Sequence, residues 1–190
     1  MIKGNIIDLL PATLKDRENI YTWCFHSETT KSHSGPPLFP DIAIPTYGEF
    51  CDTYYEEYFF NDSKPKDGRG FLIVYQKEAV GFISYSSFHL KPAVSELDIW
   101  MNSEANCGKG FGTDAIISLG NFLHEKMAIS EIIIAPSVKN IRAIASYKKA
   151  GFRESSRPMV DYLKEEYISL YGNGDYGVED TALLVKQLSL

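Results

Sequence analysis

"CGKGFGT", residues 107–113, carries glycine at alternate positions, Gly108, Gly110 and Gly112, with Thr113 following. It lies between the β-rich run "VSELDIWMN" (94–102) and a segment whose Gly112, Ala115, Ile116, Leu119, Phe122 and Leu123 recur at helical spacing. A loop that leaves a strand and opens a helix aims several free N–H groups at one spot, with the helix dipole behind them. Such a spot takes an anion, most often a phosphate, and glycine lets the backbone come close to it. The spacing is not that of a Walker loop, because Lys109 is followed by Gly110 rather than Ser or Thr. Nor is it a dinucleotide fingerprint, which needs glycine where Thr113 stands. Taken alone, these residues are also compatible with a plain glycine-rich turn.

The second informative stretch is "NIRAIASYKKAGF" (140–152). Asn140, Ala143 and Tyr147 fall at i, i+3 and i+7, on one stripe of a helix. Ile141, Ile144 and Ala145 fall largely on another, which is expected to face the core. Gly151 is placed to end the helix in the left-handed conformation. In "VSELDIWMN", alternation puts Glu96, Asp98 and Trp100 on one face and Leu97, Ile99 and Met101 on the other. Two carboxylates beside a tryptophan, just ahead of an anion loop, are either a solvated face or part of a site.

Outward from this centre the chain reads as follows. "NIIDLL" (5–10) is a first strand, and a helix spans about Lys15 to His26. Pro36, Pro37, Pro40 and Pro45 make the next segment a loop. A helix over 46–60 opens with Thr46 and Glu49 as a capping box. "FLIVYQKEAVGFISYSSF" (71–88) is a hairpin turning about "KEA". "EIIIAPS" (131–137) is a short buried strand and "DTALLVKQL" (180–188) the last one. Between Phe152 and that strand lies a polar, aromatic insertion, about 153–178. The order β, α, α, β, β, β, α, β, α, insertion, β predicts a single α/β domain, 1–190, with a mixed central sheet flanked by helices.

Composition fits this frame. A chain of 190 residues with 44% hydrophobic and 13% aromatic residues is long enough for one real core. A net charge of −6 argues against a general nucleic-acid binder and suits a cationic partner or simple solubility. Cys24, Cys51 and Cys107 are odd in number and widely spaced, which excludes a disulfide framework. His26, His33, His89 and His124 lack metal-ligand spacing, so no metal is expected. "MIKGNIIDLL" is not an apolar leader and no stretch has the length of a membrane span, so a cytoplasmic location with no membrane partner is expected.

"NCGKGFGT" resembles the acetyl-CoA pyrophosphate loop of the GNAT superfamily of N-acetyltransferases, Q/R-x-x-G-x-G/A. "NIRAIASYKKAGF" resembles that superfamily's motif N-x-x-A-x-x-x-Y-x-x-x-G-F. The stretch "ELDIWMN…GKGFGT…APSVKNIRAIASYKKAGF" is further similar to the aminoglycoside 6'-N-acetyltransferases, over residues 94–152. There are two departures. Asn106 stands where the superfamily has Gln or Arg, and Ala135 where the aminoglycoside enzymes tend to carry a second aspartate.

The resemblance implies direct acetyl transfer from acetyl-CoA to a primary amine, without a covalent enzyme intermediate. Asn106, Cys107, Gly108, Lys109, Gly110, Phe111, Gly112 and Thr113 would hold the pyrophosphate, Asn140 the pantetheine arm, and Ala143 the same stripe. Asp98 is the expected base for the protonated amine. A backbone N–H near Met101, where the strand splays, would receive the carbonyl's developing charge. Tyr147 would protonate the departing thiolate. Cys107 is a poor nucleophile candidate, since no histidine stands at a spacing that suggests a base. Glu96, Trp100, Glu56 and Glu57 are expected to bind the acceptor, a small polycationic amine with an aminoglycoside-like compound as leading candidate. The assembly is expected to be a monomer or homodimer. A protein N-terminal or lysine acetyltransferase, and a non-catalytic acetyl-CoA sensor, remain open as alternatives at this point.

Overall fold

The computed structural model describes residues 1–30, 43–171 and 181–188. Pro36, Pro37 and Pro40 of the expected loop, His33, and residues 172–178 of the insertion lie outside the described residues. An eight-stranded sheet runs in the order β1-β2-β3-β4-β5-β6-β8-β7. Its strands are β1 (Ile2–Lys3), β2 (Asp8–Pro11), β3 (Gly68–Tyr75), β4 (Glu78–Ser86), β5 (Val94–Met101), β6 (Glu131–Ile134), β7 (Arg153–Glu154) and β8 (Leu184–Gln187). The helices are α1 (Arg17–Phe25), α2 (Tyr47–Thr53), α3 (Glu56–Phe59), α4 (Phe111–Met127), α5 (Ile141–Lys149) and α6 (Ile168–Tyr171). The expected α/β class with a mixed sheet and flanking helices is the one observed.

Alternation along the strands buries both faces of the sheet. Ile83, Leu97 and Ile99 join Leu9 and Ile73 beneath Ala115, Ile116 and Leu119 of α4. Phe82 and Trp100 point the other way, into Ile20 and Cys24 of α1, Phe50 of α2 and Phe59 of α3. A buried Ile or Leu of this kind contributes about 1.5–3 kcal/mol of transfer free energy. The insertion supplies a third cluster, in which Met159, Tyr162 and Leu163 cover Leu90, Val94, Ile133 and Val185.

Four local readings are corrected. "NIIDLL" is not one strand: residues 4–7 turn, so β1 pairs back on β2 with Ile2 opposite Leu9. The turn closes because the Asp114 carboxylate gathers the N–H groups of Asn5, Ile6 and Ile7. The helix expected over 46–60 starts at the predicted capping box, Glu49 N–H to Thr46 Oγ1 and Thr46 N–H to Glu49 Oε2. It then breaks, because Tyr54 (ψ 76°) and Tyr55 (ψ 138°) leave helical space. The hairpin turns at Gln76 and Lys77, not about "KEA". Both residues have positive φ, 49° and 72°, the sense that matches strand twist in a two-residue loop. On α5, Ile141 is 76% exposed and Ala145 is exposed, whereas Tyr147 and Ala150 are buried. The stripe carrying Tyr147 therefore faces inward, and only Ile144 of the expected apolar stripe packs on the core.

Candidate active site at the strand fork

β5 and β6 pair in parallel, in a sheet whose other pairs are antiparallel among the described strands. The pairing covers only Val94↔Glu131, Ser95↔Ile132 and Glu96↔Ile133. Beyond Glu96 the two strands separate. β5 stays paired to β4 as far as Gly81↔Met101, and β6 gives way to Ala135 and Pro136. The result is a fork whose backbone groups are not used by the sheet. Asn102 N–H donates to Val80 O of β4 at 3.0 Å. Strand N–H groups alternate sides, so those of Met101 and Ile99 point into the fork. The Met101 carbonyl on the same side accepts from Thr29 Oγ1 at 2.8 Å, which fixes this end of the strand.

The fork opens into a cleft of about 710 Å³. One wall is the glycine loop and α4: Asn106, Cys107, Gly108, Gly110, Gly112 and Thr113 line it. Gly108 (φ 73°) and Gly110 (φ 85°) are left-handed, a conformation that disfavours other residues. A Cβ on Gly108 would meet nothing within 4 Å, and one on Gly112 would make only ordinary contact with Ile99. No protein neighbour therefore demands glycine at either position. The N–H groups of Phe111, Gly112 and Thr113 precede the first helical bond, Asp114 N–H to Gly110 O at 3.0 Å, so they are the helix's free donors.

The opposite wall is α5. Asn140 accepts from Ala143 N–H at 3.1 Å as the helix cap and lines the cleft together with Ala143, Ser146 and Tyr147. Ser146 Oγ and Thr113 Oγ1 lie 3.0 Å apart and tie the two helices together across the fork. Burial pushes the Tyr147 phenol well above its usual range, and the negative charge of Asp98 raises it further. The hydroxyl is therefore fully protonated at neutral pH. Arg142 and Lys149 also line the cleft. Arg142 meets Glu104 through two bonds, 2.5 and 2.9 Å, which hold the Glu104 carboxyl below its usual range.

Glu96 and Asp98 line the other end of the cleft. Glu96 Oε2 is 2.9 Å from Nε2 of the buried His89. Tyr54, where the α2–α3 helix breaks, donates its hydroxyl to Asp98 Oδ2. The Tyr54 phenol is pushed well up, first by burial and then by the charge of Asp98. Tyr55, Phe59 and Phe88 complete an aromatic lining.

The structure thus brings Asp98, Glu96, Met101, Tyr147, Asn140, Ala143 and most of the glycine loop around one cleft. It does not bring all of the expected residues there. The Phe111 side chain is in the core against Tyr75, at 4.6 Å between ring centres, and only its backbone faces the loop. Lys109 is exposed and is not among the lining residues. Trp100 borders the cleft but is 3% exposed, packed on Phe82 and Tyr54, so it offers no open surface for stacking. Glu56 and Glu57 are outside the described lining: Glu56 accepts from Asn61 at 3.2 Å, and Glu57 meets Lys64 at 3.5 Å. Tyr54, His89, Thr29 and Ser146 were not foreseen. The only local sign of Tyr54 was the aromatic density of "CDTYYEEYFF", which read as a continuous helix.

Comparison with known proteins agrees with this geometry. The pattern of the GNAT acetyltransferase domain matches residues 7–153, and the chain belongs to that family. Aminoglycoside N(6')-acetyltransferase type 1 of Klebsiella pneumoniae is 36% identical over 61 residues, 32% of this chain and 30% of that protein. The chain thus aligns with under a third of that relative's length. Among solved structures, AAC(6')-Ib in complex with paromomycin and acetyl-CoA superposes with a TM-score of 0.68 at 18% identity, over 96% of this chain and 94% of the other. The spermidine N-acetyltransferase of Vibrio cholerae, in complex with CoA and spermine, superposes with a TM-score of 0.65 at 16% identity, over 97% and 96%. At these identities the likeness is one of fold. No helix among the described residues is long and apolar enough to cross a membrane. No cluster of three or more His, Cys, Asp or Glu among them is arranged to hold a metal ion.

Proposed function

We propose that this chain is an acetyl-CoA-dependent N-acetyltransferase whose acceptor is a primary amine on a small cationic molecule, an aminoglycoside-like compound being the leading candidate. One observation carries the reading. A single cleft joins a glycine-lined helix start to a pair of carboxylates, Glu96 and Asp98, across the splayed backbone of β5. The free N–H groups of α4 suit a pyrophosphate, and Lys149 adds positive charge to the lining, while the Arg142 charge is shared with Glu104. The carboxylates put negative charge where an ammonium would enter. This polarity orders the two substrates along the fork. The relatives named above include enzymes for aminoglycosides and for spermidine, both polyamines, which supports the cationic class.

In this reading Asp98 takes the ammonium proton and frees the lone pair for attack on the thioester carbonyl. The fork-facing N–H of Met101 donates to the oxygen as it gains charge. The C–S bond breaks as Tyr147, held protonated by burial, gives its proton to the departing thiolate. The extra proton left on the nitrogen after attack passes through water and restores the Tyr147 hydroxyl, and Asp98 returns its own proton to solvent. Asn140 presents its side chain to the pantetheine arm while also capping α5. The loss of Trp100, Glu56 and Glu57 from the acceptor surface narrows the cation site to Asp98 and Glu96, with Tyr55, Phe59 and Phe88 as its walls.

The test is CoA-thiol release from acetyl-CoA with a panel of kanamycin, spermidine, neutral amines and a lysine peptide. Turnover with the first two, with a KM for the amine that rises with salt, supports the reading, because attraction between exposed charges is screened beyond about 8 Å at physiological ionic strength. Preference for the peptide moves the protein-acetyltransferase reading ahead. Acetyl-CoA binding with no turnover of any amine makes the chain a sensor. Asp98→Asn should lower kcat/KM by roughly 10²–10⁴-fold if Asp98 is the base.

A further inference from the structure

We infer that Tyr54 is the positioning residue of this reaction: it holds the Asp98 carboxylate toward the fork through its hydroxyl, and α1 in turn holds Tyr54. The inference rests on the role given to Asp98 above and adds a second residue, from a different part of the chain, to the chemistry.

The geometry has three parts. First, the Tyr54 hydroxyl donates to Oδ2 of Asp98, which leaves Oδ1 as the oxygen to meet the amine. A carboxylate otherwise rotates about its last bond, since such terminal torsions are broad. One strong charge-assisted bond removes that freedom. Second, the Tyr54 ring is clamped. It stacks on Phe50 at 4.7 Å and 17°, leans on Phe59 at 4.9 Å, and meets Trp100 edge-on at 5.8 Å. Third, its backbone is pinned from α1. Arg17 Nη2 donates to the carbonyls of Tyr54 and Cys51, at 2.5 and 2.6 Å. These bonds fall where α2 stops, and they satisfy carbonyls that the broken helix leaves exposed. Tyr54 follows Phe50 by one helical turn, its N–H meeting the Phe50 carbonyl at 2.8 Å, and so shares the sheet-facing side of α2.

A tyrosine hydroxyl is suited to this role for a chemical reason. It stays a donor over the whole working pH range, because burial and Asp98 push its own ionisation upward. Tyr147 feels the same Asp98 charge from the opposite wall. Two phenols thus flank one carboxylate, one to hold it and one to serve the leaving group.

The experiment is a double-mutant cycle between Tyr54→Phe and Asp98→Asn, with kanamycin or spermidine as acceptor, whichever the wild type turns over. Tyr54→Phe keeps the ring contacts and removes only the donor. It should lower kcat about ten- to a hundredfold, the fold-change corresponding to one hydrogen bond to a charged group, while the KM for acetyl-CoA stays within twofold. Because Tyr54 acts through Asp98, the double variant should be no slower than Asp98→Asn alone. Wild-type kcat in Tyr54→Phe overturns the inference. So do losses that multiply in the double variant, since Tyr54 would then act independently of Asp98. A Tyr54→Phe protein that fails to fold, while the double variant folds, makes the bond one of stability and overturns it too. Full activity of Asp98→Asn refutes the base role of Asp98 and the inference with it, whereas no turnover by the wild type refutes the proposed function, so the two failures are told apart.

Discussion

Asp114→Asn should destabilise the fold by about 3 kcal/mol, although Asp114 touches no substrate in the proposed reading. Its carboxylate is 6% exposed and accepts three backbone N–H groups, from Asn5 at 3.1 Å, Ile6 at 2.7 Å and Ile7 at 3.0 Å. Two of these go to Oδ2 and one to Oδ1. An asparagine has one acceptor oxygen. Turned to serve Ile6 and Ile7, it points its NH2 at the N–H of Asn5 and leaves that donor unpaired. The two surviving bonds fall from charge-assisted to neutral. Hydrogen bonds to charged groups contribute about 1.5–3 kcal/mol and neutral ones about 1 kcal/mol, so one loss and two weakenings sum to about 3 kcal/mol. For a chain of this size that is a fall in Tm of roughly 6–12 °C. Differential scanning calorimetry of the two proteins reads it directly. Gly4→Ala is the matching perturbation from the other side, because a Cβ there would lie 2.5 Å from Asp114 Oδ2 and 2.8 Å from Ile7 O. The effect should reach the site, since Ile6 lies behind Gly110, 3.5 Å from where its Cβ would be. Acetyl-CoA affinity should therefore weaken in Asp114→Asn. A Tm within about 1 °C of wild type would refute the reasoning, and would mean that water or a rearranged turn satisfies the three donors.

Three further outcomes are expected. Gly110→Glu should abolish acetyl-CoA binding in calorimetry with the circular dichroism spectrum retained, because it sets a carboxylate and a strained left-handed residue at the helix start; unchanged affinity would remove the loop from the site. Tyr147→Phe should lower kcat on the order of 10²-fold with acetyl-CoA affinity kept, and a wild-type kcat would leave Tyr147 as a core residue. In an alkaline titration followed at 295 nm, Tyr54, Tyr85 and Tyr147 should ionise only as the protein unfolds, since burial raises all three phenols. A phenol raised in the folded state contributes stability below its unfolded value of about 10 and loses it as pH climbs through the folded value, so unfolding should set in on the alkaline side. Smooth ionisation of all 12 tyrosines near that value, with the fold intact, would contradict their burial.

What the chain declares in one dimension is what depends on local chemistry. The alternating glycines of 107–113 announce a loop that opens a helix, and the structure starts α4 at Phe111 directly after it. The capping box at Thr46 and Glu49, the helix stop at Gly151, and the alternation of Leu97 and Ile99 against Trp100 depend only on near neighbours, and each is present. The order of strands and helices is enough to give an α/β domain with a mixed sheet.

Tertiary structure decided the rest. Whether Trp100 faces an acceptor or the core depends on what covers its face of the sheet, and α1, α2 and α3 cover it. Glu56 and Glu57 have the composition of a cation site, but a helix broken at Tyr54 directs them to Asn61 and Lys64 instead. That break has no local signal, since tyrosine is an ordinary helix residue. It is favoured by contacts with Asp98 and Arg17, 44 and 37 residues away along the chain. The turn at residues 4–7 is likewise held by Asp114, more than a hundred residues distant. The fork between β5 and β6 is visible in no single strand. It exists because a short β6 pairs with three residues of β5 and then leaves it, and the cleft opens in the gap.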